Sequence, residues 1–405
     1  MAVNHDPKQN HGHDHSQHRH HHVSRREILM GMGAAALAAA APEPSLGSLL
    51  RPARSSWAQN AAGASLFKIQ KVTEGVYAAI APPAAMINCN AAIIVGSDQA
   101  LVVDSHSKPS AARALISQIR AEVTDRPVRY VVNSHFHWDH AQGNLAYPEA
   151  YGAQTQVVSS TGTREWLERE GVKRLRESLE SMPKQIADLK KQVAEAKRDS
   201  DRKVLSAQVA ELEAYLKEMT PPEKQIKLPT VTFEQRLVIH HGGREVHLLF
   251  LGRGHTAGDV VVYVPAEKTV ATGDLMHSIL PYMTDGYPDE WTRTLTALEG
   301  LDFDRVVSGH GSVQEGKSVL RFFRGYIDEL NEGVSRAVEQ GKSLAEVQKS
   351  LVPEKLKSLS ADQITRLGRE VEAFAGPAPN PAERLKGSVA ANVADVYNYY
   401  QKRKK

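Results

Sequence analysis

Ser134-His135-Phe136-His137-Trp138-Asp139-His140 gathers three imidazoles and a carboxylate into six residues, 135–140. The residues before it, Val128-Arg129-Tyr130-Val131-Val132-Asn133, have the composition of a buried β-strand. Those after it, Ala141-Gln142-Gly143-Asn144, read as a helix start. The run therefore sits at the tip of a strand, which is a stiff platform. Side chains two apart on an extended segment point the same way, so His135 and His137 can share one metal ion. Asp139 and His140 follow where the chain turns and could hold a second. Neutral imidazole and carboxylate both suit zinc. The ordinary alternative, a polar surface turn, would seldom collect four such groups in so short a stretch.

Three more segments extend the pattern. Gly252-Arg253-Gly254-His255-Thr256 follows the apolar run 246–251. Val270-Ala271-Thr272-Gly273-Asp274 and Val306-Val307-Ser308-Gly309-His310-Gly311 each end another strand-like segment. In every case a metal-capable residue lies at a strand end beside glycine, which permits sharp turns and close backbone approach. Singly, each reads as a turn or cap residue. Together with residues 135–140 they complete what a two-metal site requires.

This arrangement resembles the metallo-β-lactamase superfamily, marked by His-x-His-x-Asp-His followed by separate His, Asp and His ligands. The resemblance covers residues 67–162 and 229–315. It implies an α/β fold, the αββα sandwich, with the metal site at one edge between two sheets. By that resemblance His135, His137 and His255 hold one zinc, and Asp139, His140 and His310 hold the other. Asp274 bridges the two, as in the glyoxalase II-like branch. Asp104, ending Ala100-Leu101-Val102-Val103-Asp104, matches the family's early strand-end aspartate, which stands behind the ligands. Two zincs sharing a water would lower its pKa, so that hydroxide exists at neutral pH, and Asp139 could orient that water. His106, His277 and Tyr282 fall near ligand-bearing strand ends and are candidate substrate-positioning groups, Tyr282 as a donor to an oxyanion. Trp138 is a candidate pocket wall. No serine or cysteine nucleophile is needed; the single cysteine, Cys89, reads as a buried small residue.

A chain of 405 residues holds one large or two ordinary domains, and 41% hydrophobic residues is enough for a core. A formal net charge of +3 gives no reason to infer a nucleic-acid partner. No apolar run reaches the roughly eighteen residues of a membrane span. Residues 1–60 read as a leader. A histidine-rich tract ends in His20-His21-His22, and Ser24-Arg25-Arg26-Glu27-Ile28-Leu29 opens the apolar run 28–41. This resembles a twin-arginine export signal, with cleavage after Ala41 or Ala58, and implies the periplasm or the cell exterior.

The expected organisation is a catalytic domain over 61–315, interrupted by a long helical hairpin over 163–228, then a helical region over 316–405. Strands are expected at 67–72, 76–80, 91–95, 101–103, 157–159, 230–233, 236–239, 246–251, 259–264 and 268–272. A helix is expected over 109–123. In the hairpin Leu175, Leu179, Met182, Ile186, Leu189 and Val193, then Leu205, Val209, Leu212 and Leu216, recur at helical spacing about a polar turn at 197–203. Three roles fit it: an arm forming a homodimer, a lid, or a hairpin packed on its own domain. Further helices are expected around 319–330, 344–351 and 389–397, punctuated by Pro377, Pro379 and Pro381, with a frayed tail at 402–405.

Four functions fit these residues. A β-lactamase suits export, yet His277 stands where a carboxylate-binding lysine is found in the related subclass, and Asp274 stands in place of its cysteine. A thioesterase or lactonase of the glyoxalase II type suits a bridging Asp274. A mono-iron sulfur dioxygenase shares the His-x-His-x-Asp-His mark, with iron as its cofactor instead of two zincs. A non-catalytic metal-binding or docking protein is the fourth. The leading expectation is a dinuclear zinc hydrolase acting on an amide or ester-type bond of a small molecule.

Overall fold

Side chains of the central strands alternate between two faces, and both faces are buried, so the chain is built in layers. The computed structural model describes residues 66–403 other than 84–86, 222–225 and 377–379. The leader, both cleavage points, Pro377, Pro379 and the last two lysines lie outside the described residues. One sheet runs in the order β1 (Lys68–Thr73), β2 (Val76–Ile80), β3 (Ala91–Val95), β4 (Ala100–Val103), β5 (Val128–Val132), β6 (Gln156–Ser160) and β7 (Val231–Phe233). It is antiparallel from β1 to β4 and parallel from β4 to β7. The other contains β8 (Arg236–His241), β9 (Arg244–Phe250), β10 (Val260–Val264), β11 (Thr269–Gly273), β12 (Arg305–Ser308) and β13 (Gln314–Glu315). Only β11 and β12 are parallel there.

The period of two decides which face meets which layer. Ala92, Ile94, Leu101, Val103 and Val132 point inward and meet Val246, Leu248, Val260, Val262 and Ala271 of the second sheet. Their neighbours Ile93, Val102 and Val131 point outward and pack on Ala112, Leu115 and Ile116 of α1 (Pro109–Gln118). On the second sheet Val261, Val270 and Val306 face outward. Two helices cover them, α7 (Pro288–Glu299) with Trp291 and Leu295, and α8 (Ser318–Glu339) with Phe323 and Tyr326. The result is helix, sheet, sheet, helix: an α/β fold with the αββα order.

Between these lie α2 (Trp138–Ala141), α3 (Ala146–Tyr151), α4 (Thr161–Trp166), α5 (Val172–Glu195) and α6 (Asp199–Met219). Helix α2 starts at Trp138, three residues earlier than the sequence reading, so Asp139 and His140 stand on its first turn. The turn between α5 and α6 is also shorter than expected. Asp199 and Asp201 are helical, where carboxylates favour the positive end of the helix dipole. Leu175, Met182 and Ile186 pack on Val209, Leu212, Tyr215 and Met219, with Trp138 against the same cluster. The hairpin is therefore docked on its own sandwich. Tyr215 donates to Gln142 Oε1 at 2.6 Å, and Glu218 accepts from Ser110 N and Oγ at 2.7 and 2.6 Å.

The carboxyl-terminal region comprises α8, α9 (Leu344–Ser350), α10 (Ala361–Ala375) and α11 (Pro381–Arg403). Helices α7 and α10 were not expected from the sequence. Lys402 and Arg403 are helical, where a frayed tail was expected. No described helix is long and apolar enough to cross a membrane.

The loops that carry the metal-capable residues meet where parallel strands end. Asp104 follows β4, His135 follows β5, Asp274 follows β11 and His310 follows β12, while His255 lies between β9 and β10. The turn after β4 is tight, with Asp104 at φ 68° and His106 at φ 70°. Its Ser105 amide donates to His140 O at 2.8 Å. Gly143 is pressed against the same turn: a Cβ there would come within 1.8 Å of Ser105 O. Gly143→Ala is expected to force the two loops apart and to cost about 1–3 kcal/mol, as overpacking does. Denaturant unfolding of metal-free protein measures it, and an unchanged midpoint would contradict this packing.

Candidate metal centre

Four imidazoles each have one ring nitrogen committed to a fixed partner. His137 Nε2 lies 2.8 Å from Asp285 Oδ2, so Nε2 carries the hydrogen and Nδ1 the lone pair. His255 Nδ1 lies 3.1 Å from Tyr282 O, which leaves the lone pair on Nε2. His140 Nδ1 donates to Asp104 Oδ2 at 2.7 Å, again leaving Nε2. Ser134 Oγ donates to Asp104 Oδ2 at 2.8 Å and accepts from His135 Nδ1 at 3.0 Å. Asp104 Oδ1 also accepts from Ser134 N at 2.7 Å. Asp104 thus sets two rings, one directly and one through Ser134.

The freed nitrogens converge. The rings of His135, His137 and His255 stand 4.7 Å apart in every pair, at 80°, 87° and 90° to one another. His255 Nε2 and His137 Nδ1 are 2.9 Å apart, two lone pairs facing each other. A cation between them would turn that repulsion into coordination. On the other side Asp139 Oδ2 lies 3.1 Å from His310 Nε2 and 3.4 Å from His140 Nε2. Asp274 lies between the two groups. Its Oδ1 is 3.5 Å from His140 Nε2, and its Oδ2 is 3.4 Å from His310 Nε2 and 3.8 Å from His255 Nε2. His135 Nε2, His140 Nε2 and Asp274 Oδ1 are buried without a hydrogen bond. The residues present therefore fit metal ions: His135–His137–His255 and Asp139–His140–His310 are each close enough to hold one.

Electrostatics divides the two groups. Burial, aided by neighbouring imidazoles, holds His135 well below the usual histidine range and His255 down to about 3. Both rings are neutral at any physiological pH. Burial also opposes charge on His140 and His310, but carboxylates outweigh it. Asp139 is the first of these for His140, which is raised well above its usual range; Asp274 is the first for His310, lifted to about 9. Burial likewise opposes ionisation of Asp139 and Asp274, yet His140 and His310 keep both well below the carboxylate range.

Several residues hold the loops in place. Gly309 must be glycine, since a Cβ would meet Asp274 Oδ1 at 2.0 Å. Asn90 clamps the His310 loop, its Nδ2 donating to Ser308 O and Gly311 O at 3.0 and 2.8 Å. From α10, Glu370 accepts from Ser278 Oγ, Ser312 N and Ser312 Oγ at 2.6, 3.1 and 2.7 Å, and Phe374 lies 4.9 Å from the His310 ring. Asn90, Glu370, Phe374 and Asp285 were not singled out from the sequence, whereas Gly309 was. Asp285 stands in Thr284-Asp285-Gly286, which reads as a turn.

The weaker candidates scatter. The half-buried Tyr282 ring lies 5.8 Å from His137 and 6.2 Å from His255. His277 lies 6.1 Å from His310, donates Nδ1 to Ile279 O at 3.2 Å, and is held neutral by burial, down to about 4. His106 does not turn toward the ligands: it stacks on Phe67 at 4.2 Å and bonds to Cys89 O at 3.1 Å. Its left-handed backbone carries the ring away from the site. Cys89 lies near Asp104 and His140. Burial pushes its thiol up to about 12, and His140 Nδ1 is already bonded to Asp104, so this trio is packing.

A family model described as the Metallo-beta-lactamase superfamily matches residues 86–310. Among solved structures, the crystal structure of DIM-1 metallo-beta-lactamase shares 15% identity and a TM-score of 0.45, covering 65% of this chain and 97% of that one. The metallo-beta-lactamase from Pontibacter korlensis shares 18% identity and a TM-score of 0.47, covering 65% and 99%.

Metal uptake should expel a proton, because His310, lifted to about 9, carries one at neutral pH while a metal needs its lone pair. The raised pKa of His310 stabilises the metal-free fold below about pH 6.5, and that contribution is lost as pH rises through about 9. Zinc affinity should therefore rise from pH 6 to pH 9. Calorimetric titration at pH 7 in buffers of different ionisation enthalpy tests this; heats independent of buffer would contradict it.

Proposed function

The chain belongs to the metallo-beta-lactamase superfamily, and from that premise we propose that it is a dinuclear zinc hydrolase cleaving an ester-type or amide bond in a small molecule. The observation that carries the reading is the convergence of committed imidazoles and Asp274 on two adjacent three-residue groups. When bound, a metal pair supplies Lewis acidity and an activated water. The chain supplies the rest. Asp139 Oδ2, 3.1 Å from His310 Nε2, can accept a hydrogen bond from the attacking water and orient it. Asp104 and Asp285 keep His140 and His137 in the required tautomers. Burial around Asp139, Asp274 and His310 strengthens every charge interaction there.

Within this reading, thioester or lactone hydrolysis is favoured over β-lactam hydrolysis. His277 occupies the place from which a cation would bind a drug's carboxylate, and it is buried, neutral and bonded to Ile279 O. The reading includes residues 1–60 as an export leader that directs the enzyme to the periplasm or beyond. It also treats 61–315, the hairpin and the carboxyl-terminal helices as parts of one enzyme.

Metal analysis of purified protein should return about two zincs per chain, and His135→Ala or Asp139→Ala should cut turnover about a hundredfold or more with the circular-dichroism spectrum unchanged. A panel of a cephalosporin, a carbapenem, a thioester and a lactone should show fastest turnover on one of the last two. One iron per chain with oxygen uptake on a persulfide would replace the hydrolase reading with the dioxygenase.

A further inference from the structure

We propose that the helical hairpin is a positioning element of the metal centre: Arg174 on α5 locks Asp285, and Asp285 locks His137. The inference rests on the two-metal reading above and assigns the insertion a task within it. Arg174 Nη1 donates to Asp285 Oδ2 at 2.7 Å and Nη2 to Oδ1 at 2.8 Å. This is the two-pronged geometry that fixes a carboxylate in plane. Asp285 Oδ2 also accepts from His137 Nε2 at 2.8 Å, and its side chain is only 10% exposed. Both carboxylate oxygens are thus in use, and a rotation of Asp285 would break its bonds to both residues.

The surroundings tie the same parts together. The Arg174 guanidinium lies 5.3 Å from the Phe136 ring, between the two ligands His135 and His137 in sequence. Trp138 packs into the hairpin's own apolar cluster, and Tyr215 holds Gln142. The Asp285 loop in turn serves His255: Tyr282 O accepts from its Nδ1 at 3.1 Å, and Tyr287 N donates to Gly254 O at 2.8 Å. Two of the three imidazoles in the His135–His137–His255 group therefore depend on the loop that Arg174 anchors.

Coupling of this kind is reciprocal. If hairpin docking improves metal binding at that group, metal binding must improve hairpin docking by the same free energy. The effect should fall on one metal and spare the one held by Asp139, His140 and His310.

The test titrates zinc against a competing chelator, using the full chain, for the wild type, Arg174→Ala, Arg174→Lys, Asp285→Asn and the exposed control Arg176→Ala. Arg174→Ala and Asp285→Asn should weaken one of two sites about 10–100-fold, the usual cost of losing a ligand's outer partner. Arg174→Lys should fall between, since it keeps the charge without the fork; Arg176→Ala should match the wild type. A readout independent of binding is trypsin cleavage within 163–228. Zinc should slow it in the wild type and not in Arg174→Ala. Wild type binding two zincs, with both affinities unchanged in Arg174→Ala and Asp285→Asn, would overturn the coupling alone. Wild type binding no zinc would overturn the two-metal reading itself.

Discussion

Committed ring nitrogens are the constraint on which the centre depends. An imidazole offers a lone pair to a metal from one nitrogen only if the other keeps the hydrogen. Here Asp285, the Tyr282 carbonyl, Asp104 and Ser134 each take that hydrogen. The inward nitrogens of His135, His137, His140 and His255 are consequently fixed by contacts that face away from the site. Asp104 matters most, because a single carboxylate governs His140 directly and His135 through a hydroxyl.

The layered fold exists, from the site's point of view, to bring four strand ends to one edge. Alternating side chains bury both faces of each sheet, which leaves the strand tips as the polar places where ionisable groups can gather. The hairpin, from the middle of the chain, and α10, from its carboxyl-terminal region, then close in. One reaches the His135–His140 run through Tyr215, Trp138 and Arg174; the other reaches the His310 loop through Glu370 and Phe374.

How far the sequence discloses this depends on the distance over which a feature is written. Most strands are legible because each is a short run of aliphatic and β-branched residues, several of them ending at a glycine; the two-residue β13 is too short to show. The seven metal-capable residues are legible because each has a neighbouring clue: four lie in the 135–140 run and three stand next to a turn glycine. Asp285 and Arg174 are not, since their partnership spans 111 residues and each alone resembles surface charge. His106 misleads for a different reason. Nearness to a strand end says nothing about direction, and its positive φ turns it toward Phe67. Helix α10 could have been found from Ile364, Leu367, Val371 and Phe374, with Ser360 capping Gln363 N, but charged residues between them hide the stripe.

The metal-capable residues come from both halves of the sandwich: 135–140 from the first sheet, and 255, 274 and 310 from the second. His137 and His255 are 118 residues apart in the chain. A cation seated between them would act as a cross-link, closing a long loop that the unfolded chain must otherwise close at an entropic cost. The supply of metal would then govern how much of this protein persists folded, as well as how fast it works.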